Sequence, residues 1–345
     1  MSNPFKRMVE KNDFLYAEAR LFRNRKAKAF LSLFRDMPAV VRMKTQPGNL
    51  GRAPIAVFDA PDPIGLFAYL RRVAEFLYYC DRMGFAPILR WSGSGYRDPS
   101  IGTTDNPFEY FFEQPFPLTR EEIEERPFAE YAPGILTMAR EYLNGALYVP
   151  DETYLATLAD PVRLYLKPNG ETQKVLDDFL EKYGIGEDVL GVHMRGTDFK
   201  KAYRNHPIYV EPEEYYPHID EAFASGRFKK VFLATDDQSI LKEYLDHYGE
   251  DKVVYSTETF RGEGDLGIHR AAEFDERLSP YREGLNALCD VYGLAHCGGF
   301  ISGVSNVAVF TRILKKSRSE GFVFDRLLNK GLHKKGINAV KEKFN

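Results

Sequence analysis

Short apolar runs alternate with segments of helical periodicity along most of this chain, and this alternation restricts the folds open to it. The first apolar run, at 55–58, precedes apolar residues at helical spacing from Leu66 to Cys80. Gly84 is the expected end of that helix, and a second apolar run follows at 86–89. Because parallel strands need a crossover between them, this order predicts a βαβ unit.

The second half of the chain repeats the same alternation. Its predicted helices and strands are, in chain order, 172–183, 189–194, 212–224, 231–234, 239–248, 253–255, 283–295, 299–302 and 305–314. This spacing is typical of a doubly wound sheet, so we predict two such α/β domains, 1–170 and 171–320. A basic tail at 321–345 follows, either free or packed back on the first domain.

Composition excludes several classes of protein. The 345 residues carry a formal net charge of -3, which gives no reason to expect nucleic acid as a partner. No apolar run approaches the length of a membrane span, and the first 28 residues lack the apolar core of a secretory signal. The three cysteines lie in apolar helical contexts, which is typical of buried thiols in a reducing compartment. We therefore expect a cytoplasmic protein.

Basic residues are concentrated near the C-terminus. The segment 315–345 holds nine Lys and Arg residues against three acids, and 20–28 adds five more basic residues. Two interpretations are open: an ordinary solvated surface, or peripheral attraction to the anionic inner face of a membrane.

The predicted strand at 189–194 ends in a run of polar groups. His193 and Arg195 point to the same face because side chains alternate along a strand, and Gly196 permits a sharp turn after them. An arginine at the carboxyl end of a parallel strand is well placed to bind phosphate oxygens bidentately. The alternative is that Arg195 pairs with Asp198 at a domain surface.

Two further strand ends are predicted to meet at the same crevice. One ends in Asp236 and Asp237, and the other leads through a glycine turn to Ser305 at the start of a helix. A helix start offers N–H groups and a positive dipole end to phosphate, although Ser305 and Asp237 also suit plain helix caps. Asp290 lies in an apolar helix, where a carboxylate needs a basic partner or a ligand hydroxyl.

The order of these motifs resembles the donor domain of the fucosyltransferase superfamily, which contains α-1,6-, nodulation and protein O-fucosyltransferases. The motifs that carry the resemblance are, in chain order, His193–Asp198, His206–Pro207, Phe232–Asp237, Asp290 and Ser302–Asn306. The resemblance implies a GT-B arrangement, with two Rossmann-like domains facing a cleft. It also implies a glycosyltransferase that inverts the anomeric carbon, uses GDP-fucose as donor, and needs no metal or other cofactor.

The resemblance also assigns roles to individual residues. Arg195 would bind the β-phosphate and stabilise the leaving diphosphate, while Ser305 and Asn306 would bind phosphate oxygens. His193 would contact the nucleotide side of the donor. Asp236 and Asp290 would contact guanine or ribose. Three more residues complete the implied donor site: Thr197, Asp237 and Ser302.

The identity of the general base is the point at which the chain departs from the family. A glutamate follows the His-x-Arg segment in α-1,6-fucosyltransferases, but 199–205 contain no acid here. Asp198 is therefore a candidate catalytic residue beside Arg195, and Asp59 or Asp62 are candidates from the facing domain. The partners implied are a nucleotide sugar and a glycan acceptor such as a surface polysaccharide.

Other functions are compatible with parts of this pattern. A glycosyltransferase that uses another nucleotide sugar is the nearest alternative. A non-catalytic protein that binds nucleotide sugars or glycans is the second, against which Arg195 and the phosphate loop argue. A dinucleotide oxidoreductase would need a GxGxxG turn directly after a strand, and no GxGxxG directly follows any predicted strand.

Overall fold

A computed structural model gives the fold of residues 55–60, 64–83, 85–102, 104–116, 128–130, 151–196, 200, 202–203, 206–262 and 279–334. The fold contains two parallel sheets, which confirms the predicted α/β class. The strands are β1 Ile55–Asp59, β2 Ala86–Arg90, β3 Phe128–Glu130, β4 Val189–Met194, β5 Lys230–Thr235, β6 Val253–Val254, β7 Gly299–Gly303 and β8 Phe324–Leu328. The helices are α1 Leu66–Met83, α2 Glu152–Tyr165, α3 Gly170–Tyr183, α4 Tyr216–Ala224, α5 Gln238–Tyr248, α6 Pro280–His296 and α7 Asn306–Ser317.

The second sheet is the one that organises the predicted motifs. Its strand order is β6-β5-β4-β7-β8, with every neighbouring pair parallel. The chain moves outward from β4 through β5 to β6, then crosses back and continues through β7 to β8. The order therefore reverses between β4 and β7, and ligands of doubly wound sheets bind in the crevice at such a reversal.

The first sheet has the order β2-β1-β3 in the described residues, and the predicted βαβ unit forms its β1, α1 and β2. A layer of helices lies against both sheets: α7 packs on α1, α2 and α6, and α6 packs on α3. One buried apolar cluster extends through this layer from Phe58 and Leu89 of the first sheet to Phe232 and Phe300 of the second. The division into two domains stays a prediction.

The aromatic segment 106–116 belongs to this core. Sequence alone favours a packed helix here and leaves a platform for a sugar as the alternative. Phe108, Phe111 and Phe112 are buried as the packed interpretation requires, but the segment consists of turns rather than a helix. Asn106 and Gln114 donate to the Leu89 carbonyl at 2.8 Å, so side chains occupy that edge of β2.

The beginning of the predicted basic tail differs from the expectation. Residues 324–328 form β8, paired with β7 at the edge of the second sheet, rather than packing on the first domain. Five of the nine basic residues in 315–345 make ion pairs with acids at 2.6–3.0 Å, which neutralises much of the local charge. These residues are Lys315, Lys316, Arg318, Arg326 and Lys330. In the described ranges, no helix has the length and apolar character that a bilayer crossing requires.

Candidate functional site

The candidate site lies at the carboxyl edge of β4, β5 and β7. Because the three strands are parallel neighbours, their ends meet there, as the sequence predicts. His193 of β4 is in register with Ser302 of β7, and Met194 is in register with Thr235 of β5. The residues that follow these strands therefore surround one crevice.

Arg195 is held at this edge by Asp236. Its Nε lies 3.3 Å from Oδ2 of Asp236, and its side chain is 27% exposed. The other oxygen of Asp236 accepts the Gly196 N–H at 2.7 Å. Asp236 therefore orients both the guanidinium of Arg195 and the turn that follows it.

Gly196 is required by close packing at the same turn. A Cβ at this position would lie 2.3 Å from Cβ of Asp237, so no larger residue fits without a shift. Asp237 caps α5 by accepting the N–H groups of Ser239 and Ile240, and Lys200 lies 2.6 Å from its Oδ2. Burial opposes its ionisation, but the bonds from Lys200 and Ser239 outweigh that effect and lower the pKa of Asp237. Asp237 thus serves as the helix cap that sequence alone allowed.

His193 is a buried histidine with an unused nitrogen. Its Nδ1 has no hydrogen-bond partner within the part of the chain that the structure describes. Burial, followed by the charges of Arg195 and Arg312, lowers the pKa of His193 to about 3. The ring is therefore neutral at pH 7, and an unsatisfied buried nitrogen is costly unless a ligand or water bonds to it.

Ser302, which the resemblance places in the donor site, uses its hydroxyl for a contact inside the protein. Its hydroxyl is fully buried and accepts from Nη1 of Arg312 at 3.0 Å. Arg312 is in turn bound by both carboxylate oxygens of Asp325 on β8. This network ties β7, α7 and β8 together beneath the crevice, so Ser302 supports the site from below.

The two residues at the start of α7 have internal partners. Ser305 caps the helix by accepting the Ala308 N–H at 3.0 Å, and Oδ1 of Asn306 accepts from Nη1 of Arg71 at 3.4 Å. Arg71, on α1, also donates to the Tyr154 hydroxyl at 2.9 Å. A buried polar network thus fixes the position of the α7 start, and the Ser305 cap already occupies one N–H group of its first turn.

Asp290 and Arg261 approach each other around Thr259. The Thr259 hydroxyl lies 3.4 and 3.5 Å from the two Asp290 oxygens, and Nη1 of Arg261 donates to the Thr259 carbonyl at 3.2 Å. Nε and Nη2 of Arg261 are buried without a partner among the described residues. Burial raises the pKa of Asp290 to about 7, with Arg261 and Thr259 acting in the opposite direction.

A second buried carboxyl, Glu283, lies in the first turn of α6. It is 8% exposed, and its carboxyl group makes no hydrogen bond or ion pair within the described ranges. Burial raises the pKa of Glu283 to about 7. Its negative charge raises the pKa of both Asp290 and Tyr96, so the carboxyl group of Glu283 lies near the loop that follows β2.

The candidate bases have different outcomes. Thr197, Asp198 and Asp62 lie outside the described residues. Asp59 ends β1, and its Oδ1 accepts the Ser92 N–H at 2.9 Å. Its role as a base stays a prediction.

Sequence reasoning missed Arg261, Glu283 and Arg312. Arg261 and Arg312 are single basic residues without a motif around them. Glu283 reads as an ordinary acid in the first turn of a helix, where the dipole favours one. The only signal was Asp290, whose place in an apolar helix predicts a basic partner. Arg261 fits this prediction, because its charge acts to lower the pKa of Asp290.

No group of three or more His, Cys, Asp or Glu residues with the geometry of a metal site occurs among the residues that the structure describes.

The strand reversal, the arginine at its edge and the buried polar atoms that lack partners among the described residues define a doubly wound α/β protein with a polar crevice at the strand ends. Residues 154–277 match the family model for α-(1,6)-fucosyltransferase N- and catalytic domains. The matched segment contains Arg195, Asp236 and Arg261. The match confirms the resemblance to the fucosyltransferase superfamily, and the protein is a fucosyltransferase-like glycosyltransferase.

Several solved fucosyltransferases are similar to this chain at low identity. A NodZ α-1,6-fucosyltransferase soaked with GDP-fucose has 18% identity and a TM-score of 0.49, covering 76% of this chain and 92% of NodZ. POFUT1 in complex with GDP has 11% identity and a TM-score of 0.46, covering 81% and 99%. A mutant of Arabidopsis thaliana FUT1 with GDP has 12% identity and a TM-score of 0.41, covering 81% and 72%. At TM-scores below 0.5 these likenesses carry no argument about function.

Proposed function

We propose that the protein transfers fucose from GDP-fucose to a hydroxyl group of a glycan. The observation that carries the proposal is a set of buried nitrogen atoms that have no hydrogen-bond partner among the described residues: Nδ1 of His193, and Nε and Nη2 of Arg261. A bound ligand with hydrogen-bonding groups at these positions would satisfy them. The family match over 154–277 supports fucose as the transferred sugar.

Guanine fits the gap between Arg261 and Asp290. Both side chains contact Thr259, and among the described residues they form no ion pair with each other. Guanine carries the O6 acceptor beside N–H donors, so Arg261 would donate to O6 and Asp290 would accept from the donors. Uracil lacks the exocyclic amino group, and it would leave part of the Asp290 carboxylate unpaired.

The diphosphate fits the exposed face of Arg195. Asp236 fixes the guanidinium, so little reorganisation is needed when negative charge develops on the leaving phosphate. The N–H groups and positive dipole end at the start of α7 add to this stabilisation. With these groups supplying positive charge, we propose a reaction without a metal ion. The acceptor oxygen would attack the anomeric carbon opposite the diphosphate, which inverts that carbon.

The test is calorimetric titration of the purified protein with GDP, UDP and dTDP. GDP is expected to bind most tightly, and Asp290→Asn should remove the preference for GDP over UDP. Asp246→Asn is the matched control, because Asp246 is exposed on α5 and remote from Thr259. Equal affinity of the wild type for GDP and UDP would indicate a different nucleotide sugar. Tight GDP binding without transfer to any glycan would favour the non-catalytic alternative.

Location and acceptor are proposed on the sequence alone. A nucleotide sugar made in the cytosol and three buried free cysteines are compatible with a cytoplasmic enzyme acting on a surface-polysaccharide precursor. Peripheral contact with the inner membrane would depend on the basic residues beyond 330, since those at 315–330 pair with acids.

A further inference from the structure

Sugar transfer requires a group that takes the proton of the acceptor hydroxyl. Asp59, the described candidate base, already accepts a hydrogen bond from the Ser92 N–H. A base needs a free carboxylate oxygen, a position beside the leaving diphosphate, and access from the side where an acceptor enters. Glu283 is buried, has no hydrogen bond or ion pair among the described residues, and lies near Tyr96, whose pKa Arg195 also affects.

Glu283 lies on the face of α6 that looks toward the crevice. Glu283 and Asp290 are seven residues apart, which places them on the same side of the helix. Asp290 contacts Thr259. Gly262, three residues after Thr259, lies at the end of β5, where its N–H donates to the Asp236 carbonyl at 3.0 Å. This face of α6 therefore lies over the segment that holds Asp236.

The residue next to Glu283 is packed against the first half of the chain. A Cβ at Gly284 would lie 2.6 Å from Cζ of Phe111 and 3.1 Å from Cδ1 of Tyr96, so α6 touches both rings closely. Tyr96 is also close enough to Arg195 for the guanidinium to affect its pKa. Glu283 is thus located where the loop after β2, the start of α6 and the end of β4 come together.

We propose that Glu283 is the general base of the transfer, an inference that rests on the proposed function. Its carboxylate takes the proton of the acceptor hydroxyl while that oxygen bonds to the anomeric carbon. The bond from the anomeric carbon to the β-phosphate oxygen breaks, and its electron pair leaves with GDP. The products are the fucosylated acceptor, GDP and protonated Glu283, which releases its proton to solvent.

The surroundings of Glu283 suit a base that works near neutral pH. The ionisable groups that face it are the Tyr96 hydroxyl on the loop after β2 and the Asp290 carboxyl on α6, with Arg195 beyond Tyr96. Asp98 lies near the start of α6, where it accepts from the Ser279 hydroxyl at 2.7 Å. Burial disfavours the charged form and the helix start favours it, so a carboxylate here is a stronger base than an exposed one.

The test uses hydrolysis of GDP-fucose with water as the acceptor, because a base that activates a sugar hydroxyl also activates water. Glu283→Gln is expected to lower the rate of GDP release by about 10²- to 10⁴-fold, with the GDP dissociation constant unchanged. Glu171→Gln is the control, since Glu171 is an exposed acid in the first turn of α3. It should hydrolyse GDP-fucose at the wild-type rate.

The pH profile separates a base from a structural residue. The wild-type rate should rise with pH, with its midpoint near pH 7 and a plateau above about pH 8, and the glutamine variant should lose this rise. If GDP binds and both proteins hydrolyse GDP-fucose at similar rates, Glu283 is not the base although the proposed function stands. If GDP fails to bind the wild type, the proposed function itself is wrong.

A variant that keeps the acid covers the case of a damaged fold. Should Glu283→Gln lose GDP binding, Glu283→Asp retains an ionisable group with a shorter reach. Its rate should be reduced while the rise with pH persists. A rate equal to that of the wild type without any rise would overturn the assignment.

Discussion

The guanine site makes a quantitative prediction about pH. Asp290 has a pKa of about 7 in the free protein because it is buried, with Arg261 and Thr259 offsetting part of that effect. If guanine binds only the ionised carboxylate, its N–H donors must hold the proton off Asp290 in the complex. Below pH 7 the free protein must then lose a proton in order to bind GDP, so affinity should fall as the pH falls.

The size of the effect follows from the fraction of Asp290 that is ionised. With a pKa of about 7, the ionised fraction of Asp290 is about 0.9 at pH 8 and about 0.09 at pH 6, a tenfold difference. The dissociation constant of GDP should therefore be about tenfold higher at pH 6 than at pH 8 from Asp290 alone. The terminal phosphate of GDP also titrates, with a second pKa near 6 as for phosphate esters, and adds its own slope.

The assay is calorimetric titration with GDP at pH 6, 7 and 8 for three proteins: the wild type, Asp290→Asn and Glu283→Gln. The asparagine variant keeps only the slope of the phosphate, so its difference from the wild type isolates Asp290. Glu283→Gln should keep the full slope, since Glu283 is assigned to the acceptor side. An asparagine variant with the same pH dependence as the wild type would refute guanine binding by ionised Asp290.

Four further predictions concern charge, burial, metal and membrane. Arg195→Ala should reduce transfer by about 10²- to 10³-fold, or 3–4 kcal/mol, and Arg195→Lys should recover little because it lacks the bidentate fork; near-normal turnover would show that Arg195 is structural. Burial raises the pKa of Glu283 from 4.5 to about 7. The unfolded chain therefore loses this proton at lower pH than the folded protein does, and the free energy of unfolding falls as the pH rises from about 4.5 to 7. Thermal unfolding of Glu283→Gln should therefore show a gain of up to about 3 kcal/mol at pH 8 and little at pH 4, whereas equal effects at both would disprove the shift. Transfer should continue in excess EDTA, and a loss that manganese or magnesium restores would contradict the metal-free reaction. Anionic vesicles should retain the protein at low salt and release it near 1 M, where the Debye length is about 3 Å; no retention at low salt would leave the basic tail a solvated surface.

Local patterns predicted the second sheet well. The strands β4, β5 and β7 are short apolar runs, and the helices between them have an apolar stripe, so neighbouring residues alone determine them. β8 was not predicted. Two of its five residues are charged, and the segment around it is rich in charge, so no apolar run marks it as a strand. Its position depends on Asp325, which binds Arg312 of α7, and such a contact leaves no periodic signal.

The candidate site divides along the same line. The residues at strand ends, His193, Arg195 and Asp236, could be predicted because parallel strands bring their ends to one edge. The internal hydrogen bond of Ser302 could not be predicted, because its partner Arg312 lies on the next helix and gives no signal in the sequence around Ser302. Asn306 is a stronger case, since its partner Arg71 is 235 residues away in sequence.

The assignment of a base shows most clearly what sequence leaves open. A carboxyl group becomes a base through burial, a free oxygen and a position beside the reacting atoms, and residue type records none of these. From the sequence alone, Asp59 and Glu283 are equally plausible as the general base, because both are carboxylic acids. In the fold Oδ1 of Asp59 accepts a backbone N–H, whereas Glu283 is buried, has no partner among the described residues, and precedes Gly284, which packs closely on Tyr96. The same absence of a Cβ that lets α6 approach the loop after β2 therefore brings this carboxyl group to the crevice.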